Sequence, residues 1–146
     1  MHRQAGVTLV ELLAAMSIMG IALGTFALYL TPMEGGLNGG VTATEGFVRQ
    51  ARATAMATTS AWRVSPDSKN TLAVERASSC SSGSWTLDPD LHVELPKDVE
   101  FSDTGWEVCF GSRGTADDNI IIELKMAGRG KKQIEVLRGG TTRIIK

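Results

Sequence analysis

One stretch limits what this chain can become: from Val7 to Leu30 it runs 24 residues with a single charge, Glu11. As a helix rising 1.5 Å per residue, such a stretch reaches about 36 Å, longer than a hydrocarbon core of about 30 Å. It lacks the polar punctuation of an amphipathic surface helix. The preceding Met1-His2-Arg3-Gln4-Ala5-Gly6 is short and weakly basic, so Arg3 and the amino terminus favour a cytoplasmic N-terminus with the remainder on the far side. A secretory signal peptide would carry an apolar stretch of about 7–15 residues before a small-residue cleavage site. Here Leu28, Tyr29 and Leu30 continue past such sites, which favours an anchor. A plain anchor does not account for Glu11, because a carboxylate in lipid is costly and marks function by default.

The residues around Glu11 are specific. Gly6-Val7-Thr8-Leu9-Val10-Glu11-Leu12-Leu13 resembles the class III signal of type IV pilins and type II secretion pseudopilins, with Val7 where the usual form has Phe. The resemblance implies a leader over 1–6, cleavage between Gly6 and Val7 by a prepilin peptidase, and N-methylation of Val7. It also implies a transmembrane and assembly helix over 7–30, an assembly role for Glu11, and other pilin or pseudopilin subunits as partners. The expected location is the inner membrane, single-pass with the N-terminus cytoplasmic and the head periplasmic, and then the pilus or pseudopilus. A physical reason supports the role of Glu11: a carboxylate buried among packed stems needs a cation, and a neighbour's amino terminus supplies one, so the pair sets register. Gly20 and Gly24 form a small-xxx-small pattern in this stretch. Either they are ordinary membrane-helix glycines or, as the resemblance implies, they mark where the helix loosens on assembly.

Residues 31–61 read as a connector followed by an amphipathic helix. Four glycines within Gly35-Gly36-Leu37-Asn38-Gly39-Gly40 predict a kink or flexible stretch. Thr44 is the expected N-cap of a helix over 45–57, with Phe47, Val48, Ala51 and Ala55 as its buried stripe. From 62 to 146 the texture is β-rich. Short strands are predicted at 61–65, 71–77, 84–87, 92–95, 99–102, 107–110, 119–126, 133–138 and 141–145, with 119–126 central and buried. The clearest breaks are Ser65-Pro66-Asp67, Asp88-Pro89-Asp90, Pro96-Lys97-Asp98 and Gly139-Gly140. The fold class is α+β: a long N-terminal hydrophobic helix, pilin-like, packed on an antiparallel β-sheet head of one sheet or two small ones. Val48-Arg49-Gln50-Ala51-Arg52-Ala53-Thr54-Ala55, Val108-Cys109-Phe110-Gly111-Ser112-Arg113-Gly114, and Ile134–Leu137 with Gly139-Gly140 resemble segments of the GspH/FimT class of minor pseudopilins and pilins.

The two cysteines, Cys80 and Cys109, both fall outside the cytoplasm on this topology, and an even count in an oxidising compartment favours a disulfide over free thiols. Charge is segregated: net +1 over 1–64, −8 over 65–124 and +6 over 125–146, within an overall −1. That balance excludes a chain that coats nucleic acid along its length. A local role is still open for Gly128-Arg129-Gly130-Lys131-Lys132, read as a cationic loop that Arg138 and Arg143 extend. Resemblance to FimT-like pilins makes it a possible DNA contact in natural transformation; the plainer alternative is a solvated hairpin or one paired with a neighbour's acidic region. No enzyme, cofactor or metal site is legible: His92 stands alone, Asp117-Asp118 reads as a turn, and no loop resembles a phosphate-binding motif. Three functions follow: a minor pilin or pseudopilin, a filament-borne DNA receptor, or an anchored binding domain that never polymerises.

Overall fold

The computed structural model describes Met16 and residues 36–145. Residues 34–146 form one compact unit. Its single described helix, α1 (Leu37–Thr58), is followed by β1 (Ala61–Pro66), β2 (Thr71–Ala77), β3 (Thr86–Glu94), β4 (Val99–Phe101), β5 (Val108–Phe110), β6 (Ile120–Met126), β7 (Gly130–Val136) and β8 (Thr142–Ile145). The strands make two four-stranded antiparallel sheets, ordered β3-β2-β1-β5 and β4-β6-β7-β8. The α+β class is as expected, with two small sheets.

The helix packs on both sheets. Its buried face is Leu37, Gly40, Val41, Thr44, Phe47, Val48, Ala51 and Ala55, a three-and-four spacing that keeps one stripe inward. All four residues expected for the stripe are in it. In the sheets, period-two alternation puts Val64, Leu72, Val74, Val108 and Phe110 from one, and Ile122, Leu124, Ile134 and Val136 from the other, into the shared core. The helix ends at Thr59, whose left-handed backbone (φ 49°, ψ 34°) lets its N–H donate to the Ala55 carbonyl. Trp62 then ties the helix end to β1 by donating its indole N–H to Thr58 Oγ1 at 2.9 Å.

Four expectations change. The glycine run does not break the helix: Gly39 and Gly40 are inside α1. At Gly40 the helix lies so close to β4 and β6 that a Cβ would meet Val99 Cγ1 at 2.8 Å and Leu124 Cδ2 at 3.4 Å. Packing, not chain stiffness, dictates glycine there. Thr44 is consequently not an N-cap but a fully buried interior residue. Residues 84–87 and 92–95 are not two strands; β3 runs through Asp88-Pro89-Asp90. An edge strand tolerates Pro89, and the register shift opposite Ala73–Glu75 absorbs the extra residues. The cationic segment is also more regular than a loop, since Gly130, Lys131 and Lys132 belong to β7. β6 lies inside its sheet as expected, yet it buries only one face: Ile122 and Leu124 are at 0% exposure while Ile121 is at 56%.

These contacts separate two glycines of α1. Nothing lies within 4 Å of a Cβ added at Gly46, so Gly46→Ala gains helix propensity and raises unfolding stability by about 1 kcal/mol. Gly40→Ala forfeits that gain to overpacking, which costs about 1–3 kcal/mol. Urea titration should place the Gly46→Ala midpoint above that of the parent and the Gly40→Ala midpoint at or below it.

Candidate functional site

Three segments far apart in the chain meet at Arg52. From α1, its Nε donates to the Gly114 carbonyl at 2.8 Å and its Nη2 to the Gly139 carbonyl at 3.3 Å. Gly114 closes the turn after β5, where its N–H donates to the Gly111 carbonyl. Gly139-Gly140 forms the β7–β8 turn, closed by the Gly140 N–H on the Leu137 carbonyl at 2.7 Å. Gly140 has φ 77°, and a Cβ there would lie 2.0 Å from the Gly114 carbonyl oxygen, so both conformation and space demand glycine. These are the same three segments singled out in the sequence, 48–55, 108–114 and 134–140. Their spacing held no sign that one guanidinium joins them.

Arg49, one turn earlier, makes a second polar junction. Its Nε donates to Thr142 Oγ1 at 3.0 Å and its Nη2 to Glu45 Oε1 at 2.8 Å, while Thr142 Oγ1 donates to the same Glu45 oxygen at 3.0 Å. The buried Thr142 hydroxyl thereby finds both donor and acceptor. On the outer face of the first sheet, Arg63 bonds Glu75 and Glu107, the latter at 3.2 Å, and stacks 4.2 Å from the Trp85 ring centroid. Sequence reading missed this cluster because it depends on cross-strand register, which sets Arg63 opposite Glu75.

Cys80 and Cys109 form a disulfide with Cα atoms 5.8 Å apart. It fastens the serine-rich segment around Cys80 to β5, whose Cys109 is buried.

The basic residues are distributed along β7 and its neighbouring strands. Arg129 sits at the β6–β7 turn with Lys131 and Lys132 just inside β7, and Lys125 faces Lys131 across the ladder. Arg138 lies beyond the other end of β7, about 20 Å along the strand. It pairs with Asp118 at 3.0 Å, and Arg143 pairs with Glu135. Lys131 pairs with Glu123 at 3.1 Å. Hydrogen bonds from Gln133, then Lys131 and Ser102, hold the Glu123 carboxyl below its ordinary pKa. A lowered carboxylate keeps its charge into more acid solution, so this pair persists where a free carboxylate would protonate. Arg129 and Lys132 make no ion pair among the described residues.

Asp117 accepts the backbone N–H groups of Cys109 and Asp118 at 2.9 and 3.0 Å, and Asp118 serves Asn119 and Arg138. Among the described residues no group of three or more potential metal ligands occurs, and no helix is long and apolar enough to cross a membrane. Gly6, Val7, Glu11, Gly20 and Gly24 lie outside the described residues.

Residues 1–27 match the family described as the prokaryotic N-terminal methylation motif. The head is similar to the type IV minor pilin FimU of Pseudomonas aeruginosa PAO1, at a TM-score of 0.60 and 13% identity, over 75% of this chain and 88% of that one. It is also similar to the minor pseudopilin EpsH of the type 2 secretion system of Vibrio cholerae, at 0.53 and 12%, over 72% and 94%. No curated protein matches the sequence. The chain thus joins a prepilin-type methylation motif to a head with the fold of minor pilins and pseudopilins.

Removing the central tie should be costly. Arg52→Ala leaves two turn carbonyls without their charged donor and lowers stability by about 2 kcal/mol; Arg52→Lys, which lacks the planar fork, restores less than half of that in thermal unfolding. Breaking the disulfide with Cys80→Ser and Cys109→Ser releases a loop of 29 residues in separation. The chain-entropy model puts its loss at roughly 3–4 kcal/mol, read as a lower denaturant midpoint.

Proposed function

We propose that the chain is a minor pilin or pseudopilin: a structural subunit, not a catalyst, that a prepilin peptidase cuts between Gly6 and Val7 and methylates at Val7. The single observation that supports this best is the joint presence of the methylation motif over 1–27 and a minor-pilin head. In this reading the apolar stretch 7–30 holds the chain in the inner membrane with the head in the periplasm. Glu11 then pairs with the amino terminus of an adjoining subunit when the stem enters a type IV pilus or type II secretion pseudopilus. A carboxylate offered to a fresh cation in an apolar core sets register, since leaving it unpaired costs several kcal/mol.

The spread of the basic side chains bears on the DNA-uptake alternative. A contact there would draw on Arg129, Lys131 and Lys132, since Arg138, beyond the far end of β7, and Arg143, beside Glu135, are already paired. The structural-subunit reading needs none of them.

Mass spectrometry of the chain from cells with an active prepilin peptidase should find residues 1–6 missing and Val7 carrying one extra methyl group. An intact Met1 in such cells sinks the proposal. Glu11→Ala should leave processing intact and sharply reduce recovery in sheared filament fractions.

A further inference from the structure

Close approaches along α1 fix the direction of the β6–β7 hairpin. A Cβ added at Gly40 lies 3.4 Å from Leu124 Cδ2, and one added at Gly36, just before the helix, lies 3.8 Å from Met126 Sδ. Four residues back along a helix cover about 6 Å, and two residues forward along a strand cover about 7 Å. β6 therefore advances toward its turn in the direction in which α1 runs back to its N-terminus. Met126 and Gly130 face each other across the ladder, and Ala127-Gly128-Arg129 joins them. The hairpin tip thus stands at the end of the head where the chain enters α1.

This tip is cationic. No acid occurs from Leu124 to Gln133, a span that holds Lys125, Arg129, Lys131 and Lys132. Lys131 is answered by Glu123. Lys125 stands opposite Glu100 in the register and shares a shallow recess with it and Asp98, beside Met126 and Ala127. Arg129, exposed, and Lys132, half-buried, are left without an ion pair among the described residues.

Chain length decides which anions that end can meet. Six residues separate Leu30, the last of the apolar stretch, from Gly36, at most about 22 Å of chain. In the proposed function that stretch lies in the membrane, so the tether keeps lipid phosphates near the tip of every unassembled copy. Attraction of Lys and Arg to an anionic surface acts over a Debye length, about 8 Å at physiological salt. A nucleic acid would have to be captured from solution, and two free cations displace few of its counterions.

We infer that the β6–β7 tip is a membrane-facing surface, on which Arg129 and Lys132 contact the phosphates of anionic phospholipid around the subunit's own stem. The contact sets the tilt of the head before assembly. It rests on the proposed function for the position of the stem, but not for the direction or charge of the tip.

The test places the full chain in vesicles of phosphatidylglycerol or of phosphatidylcholine, with a photo-crosslinking amino acid at the exposed Ala127. A second sample carries it at the exposed Thr115, next to Ala116, whose N–H donates to the carbonyl of Arg138 beyond the other end of β7. The expected result is a lipid adduct at Ala127 in phosphatidylglycerol, about fivefold or more above the yield in phosphatidylcholine and above that at Thr115. It should vanish in about 1 M salt, where the Debye length is about 3 Å. Arg129→Gln and Lys132→Gln should each lower it about fivefold, the factor one cation contributes near such a surface. Arg138→Gln should leave it unchanged. Equal yields in the two lipids or at the two positions overturn the proposal, as does an adduct that resists salt or both Gln variants. Displacement of the adduct by duplex DNA at equal phosphate concentration assigns the tip to nucleic acid and overturns it too. Arg129 lies in an exposed turn, so its variant keeps the fold, and the unfolding midpoint checks Lys132→Gln. Flotation with the vesicles reads the anchor separately. Failure to float with either lipid sinks the membrane-stem reading and this one with it, whereas flotation without the adduct sinks this one alone.

Discussion

The head depends on how closely α1 can sit against two sheets that share no strand. Gly40, Ala51 and Ala55 remove side-chain bulk along one stripe, and Val41, Phe47 and Val48 fill the space between. Because the inward residues of both sheets converge on that stripe, the helix is the element that makes one core of two small sheets. Close packing at protein-interior density leaves no room for an added methyl at the tightest point, against Val99 and Leu124. A glycine that would weaken an isolated helix is thus required by its tertiary setting.

Arg52 and Arg63 show two ways of managing a guanidinium. Arg63 lies on an outer face, met by carboxylates and the Trp85 ring. Of its two ion pairs, the one to the exposed Glu107 contributes little to stability, while the one to Glu75 is partly buried. Arg52 lies half-buried at the seam of the helix and two turns, where its planar fork satisfies carbonyls that the turns leave open. That use fixes the relative positions of α1, the turn after β5 and the β7–β8 corner, and leaves net charge at the surface. The same principle limits what linear charge counts mean. The C-terminal +6 looks like one basic surface along the chain, yet folding pairs Lys131, Arg138 and Arg143 with acids and spreads them over the sheet.

Periodicity made much of the head legible. The stripe Phe47, Val48, Ala51 and Ala55 follows from three-and-four spacing, and strands β1, β2, β6 and β8 from alternation between turn residues. The disulfide followed from cysteine parity and the oxidising compartment expected from the N-terminal stretch. Local rules failed where a long-range contact overrode them. Gly39-Gly40 read as a breaker because propensity ignores the sheet beneath the helix, and Thr44 read as a cap because the helix was started too late. Asp88-Pro89-Asp90 read as a turn because nothing local says that its strand is at an edge.

What the sequence determined by itself was therefore the set of amphipathic segments, the two cysteines, and the short methylation motif ahead of the head. Each of these is written in neighbouring residues, where spacing and side-chain chemistry act directly. What only the tertiary structure decided was which distant groups meet: Arg52 with Gly114 and Gly139, Arg49 with Thr142, Gly40 with Val99. Those meetings depend on strand order and helix placement, which are set by the cooperative burial of the whole core and are recorded at no single position in the chain.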